Sequence, residues 1–542
     1  VAARNGWLRP GWHWVALAAL AFLLLFLVYP VVRVMLGSLT TPGLWHDFLT
    51  RAYYRQALLN SVWLALGATV GALLLGVPLA VLVSRCAIPC KGLIQALAVL
   101  SLLSPPFISA YAWITLLGRA GLLTGWLGLQ GFSIYGPGGV LLVSVLHHVA
   151  YVFLLTRAAL LRIDPEVEEV AESLGSPPWR RLLTVTLPLA MPAISASGLL
   201  VFTSTLADFG TPMLIGEGML TLPVVAYNEF LSELGGSTGM ATVASLAMLL
   251  IALAALGVQT WLLRGRSYTG RSLRQPGALR LGPAGRVLGA AYGLLVAGAS
   301  ALPQAVVLVS SVMKTRGPRF TGEFGLDNYR LMWDQMAEVV GRTLRYSGLA
   351  AGIMLVAGLL IAYVLVRRPG RLARTLDGLL VLAQILPGTV LGVGLVIAWG
   401  RPPVSLPGTG TILVVAYVVR RIAYTMRASA AGVLQLNPEM EEASLSLGVS
   451  PARTFVRITV PLVLPAALSG ALVSWIATIG ELSSTIMLYT GRTATVSVMI
   501  YNQVLTSSFG TAAALGSLLI GLTLLVQWVL RRWLEEDTLG LG

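Results

Sequence analysis

Charge is absent from long stretches of this chain and collects in the short segments between them. Uncharged or nearly uncharged runs occupy Trp14–Val32, Ser61–Val83, Gly92–Leu117, Gly138–Thr156, Leu189–Ile215 and Met240–Leu263. A second set follows at Val287–Met313, Ser347–Val366, Gly378–Trp399, Gly408–Met426, Leu462–Tyr489 and Phe509–Leu530. A bilayer core is crossed by roughly 20 apolar residues in helical form, so twelve spans are expected, six on either side of a linker. Gly408–Met426 is the weakest, because Arg420 and Arg421 interrupt it. Pro105-Pro106 and Pro387-Gly388 fall inside the third and ninth runs and predict kinks there.

Composition agrees with that pattern. The chain is 56% hydrophobic and 11% charged over 542 residues, with mean hydropathy +0.82, whereas soluble domains carry about 25% charged residues. The expected fold class is an all-α polytopic membrane protein whose first partner is the lipid bilayer.

The net charge of +15 raises nucleic acid as a partner. The arginines lie between apolar runs rather than along one face, which argues against it. Their use is orientation, since basic residues stay on the cytoplasmic side. Arg4 and Arg9 precede the first run, Arg85 and Lys91 follow the second, and Arg367 and Arg368 follow the eighth. Gly216–Gly239 carries Glu217, Glu229 and Glu233 and no arginine. Both termini are therefore expected in the cytoplasm. Lys314–Arg345 mixes acid with base and is expected to be a small folded external segment. Cys86 and Cys90 have neither a second pair nor a nearby histidine to complete a zinc site. The first run has no secretory cleavage signal after it and reads as a retained anchor helix.

The halves repeat. Asp164-Pro-Glu-Val-Glu-Glu-Val-Ala-Glu-Ser-Leu-Gly175 returns 273 residues later as Asn437-Pro-Glu-Met-Glu-Glu-Ala-Ser-Leu-Ser-Leu-Gly448. Ser197-Gly198 returns as Ser469-Gly470, Tyr227-Asn228 as Tyr501-Asn502, and Asp208 as Glu481. The domain reading is a first module at 1–265 with a loop at 164–188, an Arg/Gly-rich cytoplasmic linker at 266–286, and a second module at 287–542 with a loop at 437–461. An even number of spans per module makes the repeats parallel rather than inverted.

Each acidic loop lies between the fourth and fifth runs of its half. Asp164 or Asn437 is a good N-cap, and the proline after it suits the first helical turn. Glutamates then sit where a helix N-terminus favours negative charge, and Gly175 or Gly448 closes the helix. A second start follows at Ser176-Pro177 and Ser450-Pro451, leading to Pro188 and Pro461, where the chain is expected to bend back into the membrane. So short a helix is marginal alone. One such loop reads as a solvated linker; two at equivalent places suggest two sockets on a two-fold symmetric partner. The candidate docking residues are Glu168, Glu169, Ala171, Gly175, Glu441, Glu442, Ala443 and Gly448.

This pattern resembles the signature loop of permease subunits of binding-protein-dependent ABC importers: Glu-Ala-Ala, three residues, Gly, nine residues, Ile-x-Leu-Pro. Glu169-Val170-Ala171, Gly175 and Val185-Thr186-Leu187-Pro188 match once, and Glu442-Ala443-Ser444, Gly448 and Ile458-Thr459-Val460-Pro461 match again. Val170, Ser444, Val185 and Val460 depart mildly. Within that superfamily, Ala207-Asp208-Phe209-Gly210-Thr211-Pro212-Met213-Leu214-Ile215-Gly216 and Tyr227-Asn228-Glu229-Phe230 are most similar to ferric-iron uptake permeases. Fused permeases for thiamine, and relatives handling aminoethylphosphonate, look similar in organisation. The resemblance implies two copies of a cytoplasmic ATP-binding subunit, one periplasmic binding protein, and residence in a bacterial inner membrane. ATP would be used by the partners alone; no nucleotide-binding motif, catalytic constellation or bound cofactor is read in this chain.

Asp208 and Glu481 are ionisable residues inside the fifth and eleventh runs, where charge is costly and usually functional. Counting from Ile215 along a straight helix puts Asp208 roughly 10 Å below the outer end. They are candidates for the translocation path, the alternative being that they pair with neighbouring helices. Adjacent His147 and His148, which align with Arg420 and Arg421, cannot share one helix face, so no firm metal site is assigned. A rival from another class is a secondary transporter of the major-facilitator type, also six plus six spans, for which the acidic loops have no use.

Overall fold

The computed structural model describes residues 11–40, 43–119, 121–128, 133–231, 237–263, 281–317, 319–402 and 404–539. Residues 266–280 of the expected linker lie outside the described residues. Among the described residues the regular structure is helical apart from one two-stranded hairpin. Among the described residues ten helices are long and apolar enough to cross a membrane. The pair Arg371–Ile385 and Gly388–Trp399 is long and apolar enough only when taken together, and it is bent by 109°. The remaining run lies on Gly410–Gln435, a helix that carries Arg420, Arg421 and Arg427.

The breaks follow the local chemistry. Pro387 cannot donate a backbone hydrogen bond, and the ninth run bends there. The third run breaks at Ser104-Pro105 before Pro106–Leu117 resumes. Two further breaks were not foreseen. The fifth run ends as Leu187–Leu206 and restarts as Gly210–Ile215, and the eleventh ends as Val460–Ile479 and restarts as Thr485–Leu488. Asp208 and Glu481 sit in those gaps, so a depth counted along a straight helix does not apply to Asp208.

Lys314–Arg345 is only in part a separate folded segment. Met313–Arg316 pairs antiparallel with Arg319–Phe324, after which Asp327–Arg367 is one helix of 41 residues. Asn328 anchors that turn by donating to the carbonyls of Ser311 at 3.0 Å and Met313 at 2.8 Å.

The chain divides into two compact units that cut across the sequence halves. One contains Gly43–Asp334 and Ile500–Ile520; the other contains Gln335–Met499, the chain from Gly521 and the first span, Trp12–Leu39. The first span thus packs with the second half: Trp12 meets Tyr363 and Phe455 with ring centroids 4.6 and 4.9 Å apart. Gly394 lies so close to Pro30 that a Cβ there would fall 3.1 Å from the Pro30 carbonyl oxygen. Pro283–Ser311, the seventh span, joins the first half instead. Its Gln304 donates to the Ser101 carbonyl at 3.1 Å and to Ser104 Oγ at 2.7 Å, covering polar groups left bare by the break in the third run.

Helices approach closely through small residues, as they must where lipid offers no hydrophobic drive. The repeated Ser-Gly pair is not equivalent in the two halves. A Cβ on Gly470 would lie 2.6 Å from Ala428 Cβ and 2.9 Å from Thr425 Cα, whereas one on Gly198 would make ordinary contacts at 3.5 and 3.6 Å. Gly470→Ala is therefore expected to destabilise the protein by about 1–3 kcal/mol through overpacking. Gly198→Ala should be neutral, or stabilising by up to about 1 kcal/mol through helix propensity. Thermal unfolding of both variants in detergent checks the difference; equal midpoints would refute it.

Candidate functional site

Both acidic loops fold as their sequence directs. Pro165–Ser173 is a helix whose cap, Asp164, accepts from the Glu166 N–H at 3.1 Å. Pro438–Ser446 has the same cap through Asn437 and the Glu439 N–H, again at 3.1 Å. Such a cap is worth about 1 kcal/mol. Gly175 at φ +77° and Gly448 at φ +82° stop the two helices in the left-handed region that only glycine adopts without strain. The chain then restarts as Pro178–Arg181 and Pro451–Thr454. It does not bend at Pro188 or Pro461. A π-helical turn, Leu182–Thr186 or Phe455–Thr459, absorbs the missing proline N–H, and the helix runs on as one 29-residue span.

The glutamates divide by direction. Glu169 and Glu442 are exposed, as are Ala443, Gly175 and Gly448, and Ala171 is half-buried. Glu168 and Glu441, grouped with them in the sequence, turn inward. Glu168 Oε2 pairs with Arg85 Nη1 at 3.0 Å, and Glu168 Oε1 accepts from Thr186 Oγ1 at 2.7 Å. Glu441 Oε2 lies 3.1 Å from Arg367 Nε, and its Oε1 accepts from Thr459 Oγ1 at 2.6 Å. Arg85 and Arg367 are the last residues of the helices Ala52–Arg85 and Asp327–Arg367. In the sequence both read as orientation charges alone.

The outward faces are apolar as well as acidic, which the acidic pattern concealed. Leu174 is 82% exposed and its repeat Leu447 85%, and Val167, Val170, Met440 and Trp179 are exposed too. Water is a poor environment for so much apolar side chain on two nine-residue helices.

Inside the spans, Glu481 is fully engaged. Its Oε2 meets Arg420 Nη1 at 2.5 Å and Arg421 Nη2 at 2.7 Å, and its Oε1 accepts from the Ser484 N–H at 3.0 Å and hydroxyl at 3.1 Å. Gly388, at the bend of the ninth span, leaves room for this pairing, since a Cβ there would lie 2.7 Å from Arg420 Nη1. Asp208 is held differently: its Oδ1 accepts from the Thr211 N–H at 3.3 Å in the first turn of Gly210–Ile215. The positions of Arg420 and Arg421 are taken in the first half by His147 and His148, both buried, with rings at 85° to each other. His147 Nδ1 faces Ser109 Oγ at 3.4 Å, and His148 Nδ1 faces the Ser144 carbonyl at 2.8 Å. Among the described residues no group of three His, Cys, Asp or Glu side chains is placed to hold a metal ion.

A cavity of about 330 Å³ opens beside the short helix Gly210–Ile215 that follows Asp208. Tyr135, Met213, Glu217, Met219 and Asn228 line it. Met213 and Asn228 belong to the two stretches similar to ferric-iron permeases. Glu217, at φ +44°, pairs with Arg119, whose guanidinium also lies 5.1 Å from the Tyr135 ring centroid. Tyr135 and Arg119 carry no motif and were not singled out from the sequence.

Comparison with known proteins gives the same picture. "Binding-protein-dependent transport system inner membrane component" is the family that matches, at residues 72–268 and again at 354–535. The chain is 28% identical to the ferric transport system permease protein FbpB of Actinobacillus pleuropneumoniae, over 96% of this chain and 78% of that one. It is 24% identical to a probable ABC transporter permease protein, y4fN, of Sinorhizobium fredii, over 98% of this chain and 97% of that one. The molybdenum transport system permease protein ModB of Escherichia coli is 31% identical over 40% of this chain and 96% of its own length. Two matches covering most of the chain, each containing one capped acidic loop, make this all-α polytopic protein a member of the binding-protein-dependent transport system inner membrane components, with two permease modules in one chain.

Proposed function

We propose that this chain forms the whole membrane part of an ATP-driven importer that carries ferric iron. Two copies of a cytoplasmic ATPase subunit engage the two acidic loops, and one periplasmic binding protein delivers the ion. The observation that carries this reading is the recurrence, in both family-matched halves, of a capped nine-residue helix with an exposed acidic and apolar face. Ferric iron is favoured by the near full-length likeness to ferric transport permeases and by the cavity at the similar stretch. A hard trivalent cation prefers oxygen ligands, and Asp208, which accepts from the first turn of the helix whose Met213 lines that cavity, is our candidate for receiving the ion. Glu481 is a weaker candidate, because its oxygens already serve Arg420, Arg421 and Ser484. Likeness to a molybdenum permease over 40% of the chain favours an oxyanion as the second reading.

Proteoliposomes containing the chain, its neighbouring ATPase and its binding protein should accumulate radioactive ferric iron only with ATP, and Asp208→Asn should slow uptake. Uptake of molybdate instead, or uptake without any ATPase, refutes the iron reading or the ATP-driven one respectively.

Leu174 and Leu447 should be anchors of the ATPase contact. Interface anchors cost about 2 kcal/mol or more when lost, so Leu174→Glu with Leu447→Glu should abolish co-purification of the ATPase. The two side chains are exposed, so the thermal midpoint of the isolated chain should not move. Retention of the ATPase would rule the contact out.

With the loops facing the cytoplasm, both termini lie there too, and so does Cys90. Cys90 is exposed, whereas Cys86 is buried and burial pushes its thiol up, away from the reactive thiolate. A membrane-impermeant maleimide should label Cys90 in inside-out vesicles and spare right-side-out ones, with Cys86 reacting only after denaturation. The opposite sidedness would invert the topology.

A further inference from the structure

We propose that Arg85–Glu168–Thr186 and Arg367–Glu441–Thr459 are two transmission clamps, through which movement of each docking helix reaches two spans at once. This rests on the reading that ATPase subunits push on those helices.

Each docking helix is flanked by chain that absorbs motion. Pro165–Ser173 is separated from the fourth span by a non-helical link at Asp164, and from the fifth by Gly175 and an extended Pro177. Pro438–Ser446 has the same hinges at Asn437, Gly448 and Ser450. A push on the outer face would be lost in these joints unless a side chain carried it across. Glu168 and Glu441 do so, each with one oxygen on the end of the second span of its half and the other on the π-helical turn opening the fifth.

Two observations separate this from ordinary packing. The same three groups meet in both halves although the spacing differs: Arg85 lies 83 residues before Glu168, and Arg367 lies 74 before Glu441, a shorter interval. The Glu–Thr interval is 18 residues in both halves, so it is the arginine whose place recurs in space rather than by copied spacing. Buried ion pairs are also poor sources of stability compared with apolar side chains of similar volume, yet Arg85 is 2% exposed and Glu441 7%. Arg85 Nε and Nη2 find no hydrogen-bond partner among the described residues, so its link to the loop passes through Glu168, whereas Arg367 also donates from Nη2 to the Leu436 carbonyl at 3.1 Å.

The test uses the complete complex in proteoliposomes and reads ATP hydrolysed per solute delivered. In the Glu168→Gln, Glu441→Gln variant, ATPase subunits should still co-purify while that ratio rises roughly threefold or more. Thr186→Val with Thr459→Val, which removes only the hydroxyl donors, should move the ratio in the same direction. If the glutamine variant fails to assemble, the valine variant decides. An unchanged ratio overturns the proposal. So does a proportional fall of hydrolysis and uptake with loss of the ATPase, which would make the glutamates mere props of the docking surface. Failure of the unaltered chain to bind any ATPase would instead sink the importer reading itself.

Discussion

A carboxylate taken out of water needs a cation or several donors beside it, and in this chain that requirement decides how the loops attach. Glu168, Glu441 and Glu481 each lie against arginine, and each also accepts from a Thr or Ser hydroxyl. Removing one partner of such a set leaves an uncompensated buried charge, at a cost of about 3–5 kcal/mol. A nine-residue helix has too few internal hydrogen bonds to persist alone. Its cap orders the first turn and its glycine ends it, but neither attaches it to anything. The inward glutamate does, while the neighbouring Glu169 or Glu442 stays outside. Two adjacent residues on one turn thus serve different faces of the helix, which the roughly 100° step between them allows.

The exchange of first spans gives the fusion of two modules a structural meaning. Each compact unit takes its first span from the other half of the sequence, and the family matches begin only after those spans, at 72 and 354. The exchanged helices hold no motif; they are held by aromatic and small-residue packing, such as Trp12 on Tyr363 and Gly293 close to Ile94, and the seventh span also by the hydrogen bonds of Gln304. Half of this chain, cut at the linker, would lack the span that closes its own bundle.

Much of this was legible in the sequence because it is local. Span positions follow from hydropathy, and the loop helices follow from Asp164, Asn437, Gly175 and Gly448, whose roles depend on backbone geometry within a few residues. The break at Pro387 is local in the same way. The gaps holding Asp208 and Glu481 were not legible, since no proline or run of charge marks the ends at Leu206 and Ile479. Nor could sequence assign Arg85 and Arg367 to the acidic loops. A positive residue after an apolar run reads as a topology signal, and partners 83 residues apart leave no periodic trace. The exposed Leu174 and Leu447 were hidden for a related reason: inside an acidic stretch a lone leucine looks like the buried face of an amphipathic helix.

The two halves are alike at the loops and unlike within the spans, and the difference has a physical direction. At the loops, cap, glutamates, glycine, exposed leucine and inward clamp all recur, although the supporting ties differ: Arg181 pairs with Glu172 in one half, and Ser444 bonds Thr454 in the other. Within the spans, Arg420 and Arg421 around Glu481 answer to His147 and His148, with Asp208 at the position of Glu481. On the proposed reading the ATPase is present in two identical copies and presents the same surface twice, so both loops would satisfy the same contact. A single solute imposes no such duplication on the groups it meets, and those groups are free to differ in charge. On the proposed reading, likeness between the halves marks what faces the ATPase, and unlikeness marks where the path for the ion is to be sought.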